Sequence, residues 1–215
     1  MEQYLRPTHY YDFNQSSIQQ FIDEQNLKID NLIEVAIHLH DLVRDNWYYN
    51  PYKMHFSSDS CKASEIFKRS EGHCLDKATL LIAVLRAVNI PARVHLAKVK
   101  NHIAVEHILK AFKTDVLTPH GYVEVFLNNK WVSATPAFNK SLCEKINVDV
   151  LEFNGQDNAI FQQYDRSGNY FMEYVEDYGS FDDFPMEFVR DNIIVHYPQI
   201  ASVVREGASC DVREY

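Results

Sequence analysis

One helix constrains the fold of this chain more than any other segment. Apolar residues recur at helical spacing from Cys74 to Val88, and they cover more than one side of the helix. A helix that is apolar on most sides is a central, buried element. We expect it to stop at Asn89-Ile90-Pro91, because Asn89 can take the left-handed conformation and Pro91 cannot continue a helix.

Strand-forming segments follow this helix. Residues 92–99, 121–127 and 131–135 are rich in β-branched and aromatic side chains, and Asn128-Asn129 between the last two is typical of a tight hairpin turn. Apolar spacing predicts helices at 16–25 and 30–47, and weaker signals indicate a strand at 170–175 and a helix at 185–197. This order predicts an α+β fold, with the central helix packed on an antiparallel sheet.

Charge and cysteine usage narrow the class of protein. The net charge of −9 disfavours contact with nucleic acid, whose phosphates it would repel. The first residues lack the pattern of a secretory signal and no apolar run is long enough for a membrane span, so we expect a cytoplasmic protein without a membrane partner. The four cysteines are dispersed, which predicts free thiols and no metal or other cofactor.

Cys74 is the candidate nucleophile. A thiol attacks a carbonyl carbon as thiolate, and the free N–H groups and positive dipole at a helix start lower a thiol pKa. Cys74 stands at such a start, after Gly72, and its own N–H is the first candidate for an oxyanion hole. A buried cysteine that acts only as a small apolar residue is the alternative.

His120 is the candidate base among the ten histidines. A base for a cysteine nucleophile comes from a distant part of the sequence. His120 opens a strong strand and follows Pro119, whose fixed φ helps to aim the imidazole. With a two-residue turn at 128–129, Phe126 pairs with Trp131, and Thr135 becomes the diagonal neighbour of His120 on one sheet face. A third group that holds the imidazole is what a catalytic triad requires.

Two blocks of sequence resemble the transglutaminase-like superfamily. The first runs from Glu71-Gly72-His73-Cys74 to Asn89-Ile90-Pro91-Ala92-Arg93, and the second from His120-Gly121-Tyr122 to Thr135-Pro136. Together they cover about residues 60–140. The resemblance implies a papain-like core with a Cys-His-Asp triad that forms a thioester with an amide or peptide carbonyl. We expect a single domain, 1–215, with a helical N-terminal part at 14–50 and a C-terminal extension at 140–215.

The sequence departs from the family pattern at the third member of the triad. Thr135 stands where the family has Asp, and Gly121-Tyr122 stands where an indole usually follows the His. A threonine hydroxyl can accept the imidazole N–H bond, but it carries no charge. Asn139, Asp115 and Asp149 are alternatives for this role.

Aromatic residues are candidates for the cleft and for the second oxyanion donor. In some relatives an aromatic N–H or O–H supplies this donor. Trp47 and Tyr52 precede the central helix, and Tyr122 follows His120 on its strand. We therefore include these three among the candidate site residues, beside Cys74, His120 and Thr135.

Three functions are consistent with the sequence. Hydrolysis of a peptide or small amide through a Cys74 thioester is the leading hypothesis. The second is acyl transfer to an amine, or from a thioester donor as in arylamine acetyltransferases. The third is a catalytically silent module that binds a peptide in the same cleft, which the missing Asp motivates.

Overall fold

A computed structural model describes residues 1–27, 30–103 and 105–215. Its α-helices are α1 (Ser16–Glu24), α2 (Leu32–Asn46), α3 (Ala63–Phe67), α4 (Cys74–Ala87), α5 (Val105–Phe112), α6 (Lys140–Lys145), α7 (Met186–His196) and α8 (Ala201–Glu206). Its strands are β1 (Tyr48–Tyr49), β2 (Lys53–His55), β3 (Glu71–Gly72), β4 (Ala92–Asn101), β5 (Val116–Leu127), β6 (Lys130–Ala134), β7 (Met172–Phe181) and β8 (Ser209–Asp211).

The main sheet is antiparallel and has the strand order β6-β5-β4-β7. The predicted register of the β5–β6 hairpin is confirmed, since Leu127 pairs with Lys130 and Phe126 with Trp131. Asn128 and Asn129 both have positive φ, as a two-residue hairpin turn requires. The two short pairs β1–β3 and β2–β8 lie outside this sheet.

Helix α4 packs on the inner face of the sheet as predicted, and every residue from Leu75 to Arg86 is buried. The helix begins at Cys74 because His73 and Asp76 form a capping box, and it ends before Asn89, which has a φ of 60°. The prediction of an α+β fold around a central cysteine-bearing helix is thereby confirmed.

The flanking segments follow the predictions with shifted boundaries. Helix α2 ends at Asn46 rather than Trp47, because the chain turns there into β1. The predicted strand at 170–175 is the start of a longer β7, which pairs with β4 and places the C-terminal part of the chain in the main sheet. Among the described residues, no helix is both long and apolar enough to cross a membrane.

A buried lysine on α4 joins two other segments to this helix. Lys77 is fully buried, and its Nζ donates to the carbonyl oxygens of Arg44 (2.8 Å) and Ala137 (2.7 Å). Burial lowers the pKa of Lys77 to about 7. The two hydrogen bonds fix the end of α2 and the chain just after Thr135 relative to the cysteine helix.

Candidate active site

Cys74 is held at the start of α4 by local hydrogen bonds. His73 Nδ1 accepts from the backbone N–H of Leu75 (3.1 Å) and Asp76 (3.4 Å), while Asp76 Oδ2 accepts from the N–H of His73 (3.2 Å). Strand β3, which ends two residues before Cys74, pairs in parallel with β1. The backbone on both sides of the half-buried Cys74 is therefore fixed.

The sulfur of Cys74 contacts the backbone of the histidine strand. The backbone N–H groups of Gly121 and Leu75 lie close enough to the sulfur to lower the pKa of the thiol. A Cβ at position 121 would collide with Cδ2 of Leu75, so Gly121 allows a close approach of β5 at a position where the family usually carries an indole. This departure from the family pattern therefore brings β5 into direct contact with the helix start.

The expected fall in the Cys74 pKa is not observed. Burial raises the pKa of the thiol to about 11, and the N–H groups of Gly121 and Leu75 offset only part of this effect. The prediction was wrong because it considered only the helix start. Side chains from distant segments, such as Phe112 and Tyr197, line the cleft around the sulfur.

His120 lies on β5 and is 3% exposed. Burial lowers the pKa of its imidazole to about 4, so the ring is neutral at pH 7. Its Nε2 is buried and has no hydrogen-bond partner among the described residues. The thiol and the imidazole are therefore both uncharged at rest, in contrast to the thiolate that the position of Cys74 at a helix start led us to expect.

Cys74 and His120 line one cleft, which we call the Cys74 cleft and which has a volume of about 40 Å³. Its wall includes Tyr49, Pro51 and Tyr197. Within the described part of the chain, no hydrogen bond joins the Cys74 sulfur to the imidazole. Such bonds are often long in resting enzymes and tighten with substrate. The structure thus brings the two predicted residues to one opening that is not filled by other side chains.

Thr135 lies on the other side of His120. It follows β6, is 5% exposed, and its Oγ1 is buried without a partner among the described residues. Thr135 and His120 together line a second, smaller space of about 10 Å³, which we call the His120 cavity. A space of about 10–15 Å³ holds one water molecule. The two residues whose polar atoms have no partner among the described residues, Thr135 (Oγ1) and His120 (Nε2), therefore share a cavity the size of one water molecule.

The alternatives for the third group are engaged elsewhere. Asn139 Oδ1 accepts from the N–H of Tyr49 (3.0 Å), and its Nδ2 donates to a serine hydroxyl (2.7 Å). Asp115 forms an ion pair with Lys100 (3.2 Å), and Asp149 with Arg166 (2.8 Å). Of the four residues considered, Thr135 is the one that lines a cavity with His120.

Two of the three aromatic candidates lie away from the Cys74 cleft. The indole of Trp47 packs against Phe67 at 5.5 Å and is buried. Tyr122 stacks on His95 at 4.6 Å on the outer face of the sheet, and its hydroxyl bonds to that of Tyr174 (3.2 Å). Strand alternation explains the position of Tyr122, because Gly121 points towards α4.

Tyr52 lies near the cleft, and its neighbour Tyr49 lies in it. Tyr52 stacks on Phe112, a cleft residue, but itself lines the adjoining groove. Burial raises the pKa of the Tyr49 phenol, and the negative charge of a thiolate at the nearby Cys74 raises it further. The sequence analysis missed Tyr49. The alternation of β1, with Tyr48 exposed and Tyr49 turned inward, was the signal that could have identified it.

Ligands for a metal ion are not assembled in the described residues, where no group of three or more His, Cys, Asp or Glu side chains is placed to hold one. All four cysteines are free thiols. The titratable side chains that line the Cys74 cleft are its thiol, the imidazoles of His73 and His120, and the phenols of Tyr49 and Tyr197.

Comparison with known proteins agrees with the two sequence blocks. The model of a family described as the transglutaminase-like superfamily matches residues 19–136, which is more than half of the chain. No curated protein sequence gives a significant match.

Two solved structures are similar in fold. A candidate cysteine protease from Cytophaga hutchinsonii is 22% identical with a TM-score of 0.48, and the match covers 62% of this chain and 40% of that one. The periplasmic domain of TgpA from Pseudomonas aeruginosa is 19% identical with a TM-score of 0.40, with 62% and 45% covered. The chain thus matches less than half the length of either structure.

Proposed function

Because this chain belongs to the transglutaminase-like superfamily, we propose that it hydrolyses a peptide or small amide through a thioester on Cys74. The observation that supports this proposal is that Cys74 and His120, on different elements, line one open cleft. A nucleophile and a base that meet across a fold are the signature of covalent catalysis. The proposal keeps the expected cytoplasmic location, which the four free thiols support.

Acylation begins from the uncharged pair. The Cys74 sulfur attacks the carbonyl carbon as the thiol proton passes to His120, and a C–S bond forms. The oxyanion that results is stabilised by the N–H of Cys74 and by the hydroxyl of Tyr49, which stands at the cleft. The C–N bond then breaks, and the imidazolium returns its proton to the leaving amine.

Deacylation uses the same base. His120 removes a proton from water, the hydroxide adds to the thioester carbonyl, and the C–S bond breaks to release the acid and the thiol. Thr135 supports the imidazole in both steps through the His120 cavity, where its Oγ1 accepts from Nε2–H through one water. Without a carboxylate, the imidazolium is less stabilised than in a Cys-His-Asp triad, so we expect slow turnover.

The pH profile of acylation tests this mechanism. The reactive form needs His120 unprotonated, above its pKa of about 4, and the Cys74 thiol protonated, below its pKa of about 11. We therefore expect the rate of Cys74 acetylation by p-nitrophenyl acetate, followed by protein mass, to be flat from about pH 5 to pH 10. An unassisted thiol would instead react about tenfold faster per pH unit up to pH 11, and that result would contradict the proposed role of His120.

Two alternatives remain distinguishable by experiment. A silent peptide-binding module is favoured by the raised pKa of Cys74 and the uncharged Thr135; it would bind peptides without forming any acyl-enzyme. Transfer to an amine would show as faster loss of the acetyl group from Cys74 when an amine such as glycinamide is added. Hydrolysis predicts a rate of deacylation that does not depend on the amine.

A further inference from the structure

A large groove adjoins the Cys74 cleft and has no role in the steps described above. It has a volume of about 440 Å³, within the range of about 300–1,000 Å³ that is typical of ligand pockets. Tyr49 and Pro51 line both the groove and the Cys74 cleft, so the two spaces meet at these residues. We call it the Phe138 groove, after the aromatic residue on its floor.

The wall between the groove and the cysteine is rigid. Tyr49 pairs with Gly72 in the β1–β3 ladder, its N–H donates to Asn139, and its ring packs edge-on against Phe138 at 4.8 Å. Gly72 lies two residues before Cys74. A chain bound in the groove would therefore be held at a fixed position relative to the sulfur, which is what efficient attack on a carbonyl requires.

The floor of the groove is apolar. It consists of half-buried and buried side chains from α6, the segments beside it and the residue just before β7, including Phe138, Leu142, Ile146 and Phe171. Binding of a large apolar side chain on a floor of this size is favourable because it removes apolar surface from water, whereas a small polar side chain buries little apolar surface there.

The rim of the groove carries a positive charge without a counterion. Glu71 is paired with Lys53 (2.5 Å) and Arg213 with Asp211, so the charges of these two rim residues are compensated. Lys145 is exposed at the rim and forms no ion pair within the described residues. In a chain of net charge −9 this is a local exception, and it favours a carboxylate over an ammonium group by charge complementarity.

We infer that the Phe138 groove binds a peptide segment in which a bulky apolar residue is followed by an acidic one. The apolar side chain lies on the floor and the carboxylate lies near Lys145. This inference deepens the proposed function, on which it rests, by naming the class of substrate that is presented to Cys74. The groove would select substrates by the residues that lie next to the attacked carbonyl.

Binding of short peptides to the full chain with Cys74→Ser tests the inference without turnover. The probes are the blocked tripeptides acetyl-Gly-Phe-Asp-amide, acetyl-Gly-Ser-Asp-amide and acetyl-Gly-Phe-Lys-amide, titrated by calorimetry or NMR. We expect the first to bind about tenfold more tightly than the second, because the phenyl ring is buried. We expect it to bind severalfold more tightly than the third at low salt, because the charges attract.

Variants of the groove locate the binding. Ile146→Trp, and separately Leu142→Trp, should fill the floor and abolish the preference for the phenyl ring. Lys145→Glu should reverse the preference between the acidic and the basic peptide. Val195→Trp adds an indole at a position that is 71% exposed and does not line the groove, and it should change nothing.

The outcomes separate the two proposals. Equal affinity for all three peptides, or a phenyl preference that survives both groove-filling variants, would overturn the inference. If the peptides discriminate as expected while Cys74 of the unmodified chain forms no acyl-enzyme, the groove stands and the proposed hydrolysis fails. If Cys74 is acylated but the peptides bind alike, the hydrolysis stands and the groove assignment fails.

Discussion

Replacing His120 with alanine is expected to slow acylation of Cys74 by p-nitrophenyl acetate at pH 7 by about 10²- to 10⁴-fold. This is the usual contribution of a positioned general base. The effect should be large here because the thiol, with a pKa raised to about 11, has almost no thiolate at pH 7 and depends on the imidazole to take its proton. The measurement is the rate of mass increase at Cys74 in the two proteins.

His95→Ala is the matched control for this substitution. His95 lies on the adjacent strand β4 and is nearly as buried, but it faces Tyr122 and Ser180 and does not line the Cys74 cleft. We expect it to leave the rate of acylation at pH 7 almost unchanged. Equal losses of activity in the two variants would mean that the effect of His120→Ala is structural rather than catalytic.

Replacing Arg86 with methionine is expected to lower the free energy of unfolding by about 3–5 kcal/mol. Arg86 is 1% exposed at the end of α4. Its guanidinium donates to the carbonyl oxygens of Ala92 (3.0 and 2.8 Å), Asp182 (2.6 Å) and Arg6 (3.1 Å), and it stacks on Tyr11. Methionine fills much of the volume, but it leaves these carbonyl groups without their donor.

Urea unfolding of the variant measures this effect. Arg205→Met, at an exposed position in the last turn of α8, is the control and should change the free energy of unfolding by less than about 0.5 kcal/mol. A loss below about 1 kcal/mol in Arg86→Met would show that water replaces the guanidinium at these carbonyl groups. The claim that Arg86 stabilises the core by binding the carbonyl groups of Arg6 and Asp182 would then be wrong.

The fold could be predicted from the sequence where local signals and burial agree. The all-round apolar pattern of α4 specified a buried helix, and Asn128-Asn129 specified the hairpin register, because side-chain alternation leaves no freedom once the turn is set. The same register placed Thr135 beside His120. These conclusions needed only the spacing of apolar residues and the residue types in the turn, which are local features of the sequence.

The electrostatics of the site could not be predicted in this way. Burial raises the pKa of Cys74, and residues that line its cleft, such as Phe112 and Tyr197, come from distant parts of the chain. Tyr49 was missed in favour of Trp47, because a run of three aromatic residues does not itself show which of them faces the cleft. The Phe138 groove combines residues from β1, α5, α6 and the C-terminus, so it exists only in the folded chain.

Thr135, which we propose as the third member of the site, stands where the family pattern has Asp. Thr135 Oγ1 and His120 Nε2 are buried and have no hydrogen-bond partner in the part of the chain that the structure describes. Because unpaired polar atoms cost stability in a core, we propose that these two atoms serve hydrogen bonding in the site. Because threonine carries no negative charge, Thr135 would stabilise an imidazolium less than the Asp of the family pattern does. Together with the depressed pKa of His120, this favours a mechanism in which both partners are neutral until the substrate carbonyl is attacked.

Alkylation by iodoacetamide at pH 7 tests the central claim most directly, because the chain contains its own reference thiol. Cys210 is half-buried like Cys74, and burial raises its pKa to about 11 as well, but it pairs with Met54 in the β2–β8 ladder and does not line the cleft that Cys74 shares with His120. If His120 activates Cys74, Cys74 should react at least about tenfold faster than Cys210, and this advantage should disappear in His120→Ala. Equal rates at Cys74 and Cys210 in the unmodified chain would contradict the account.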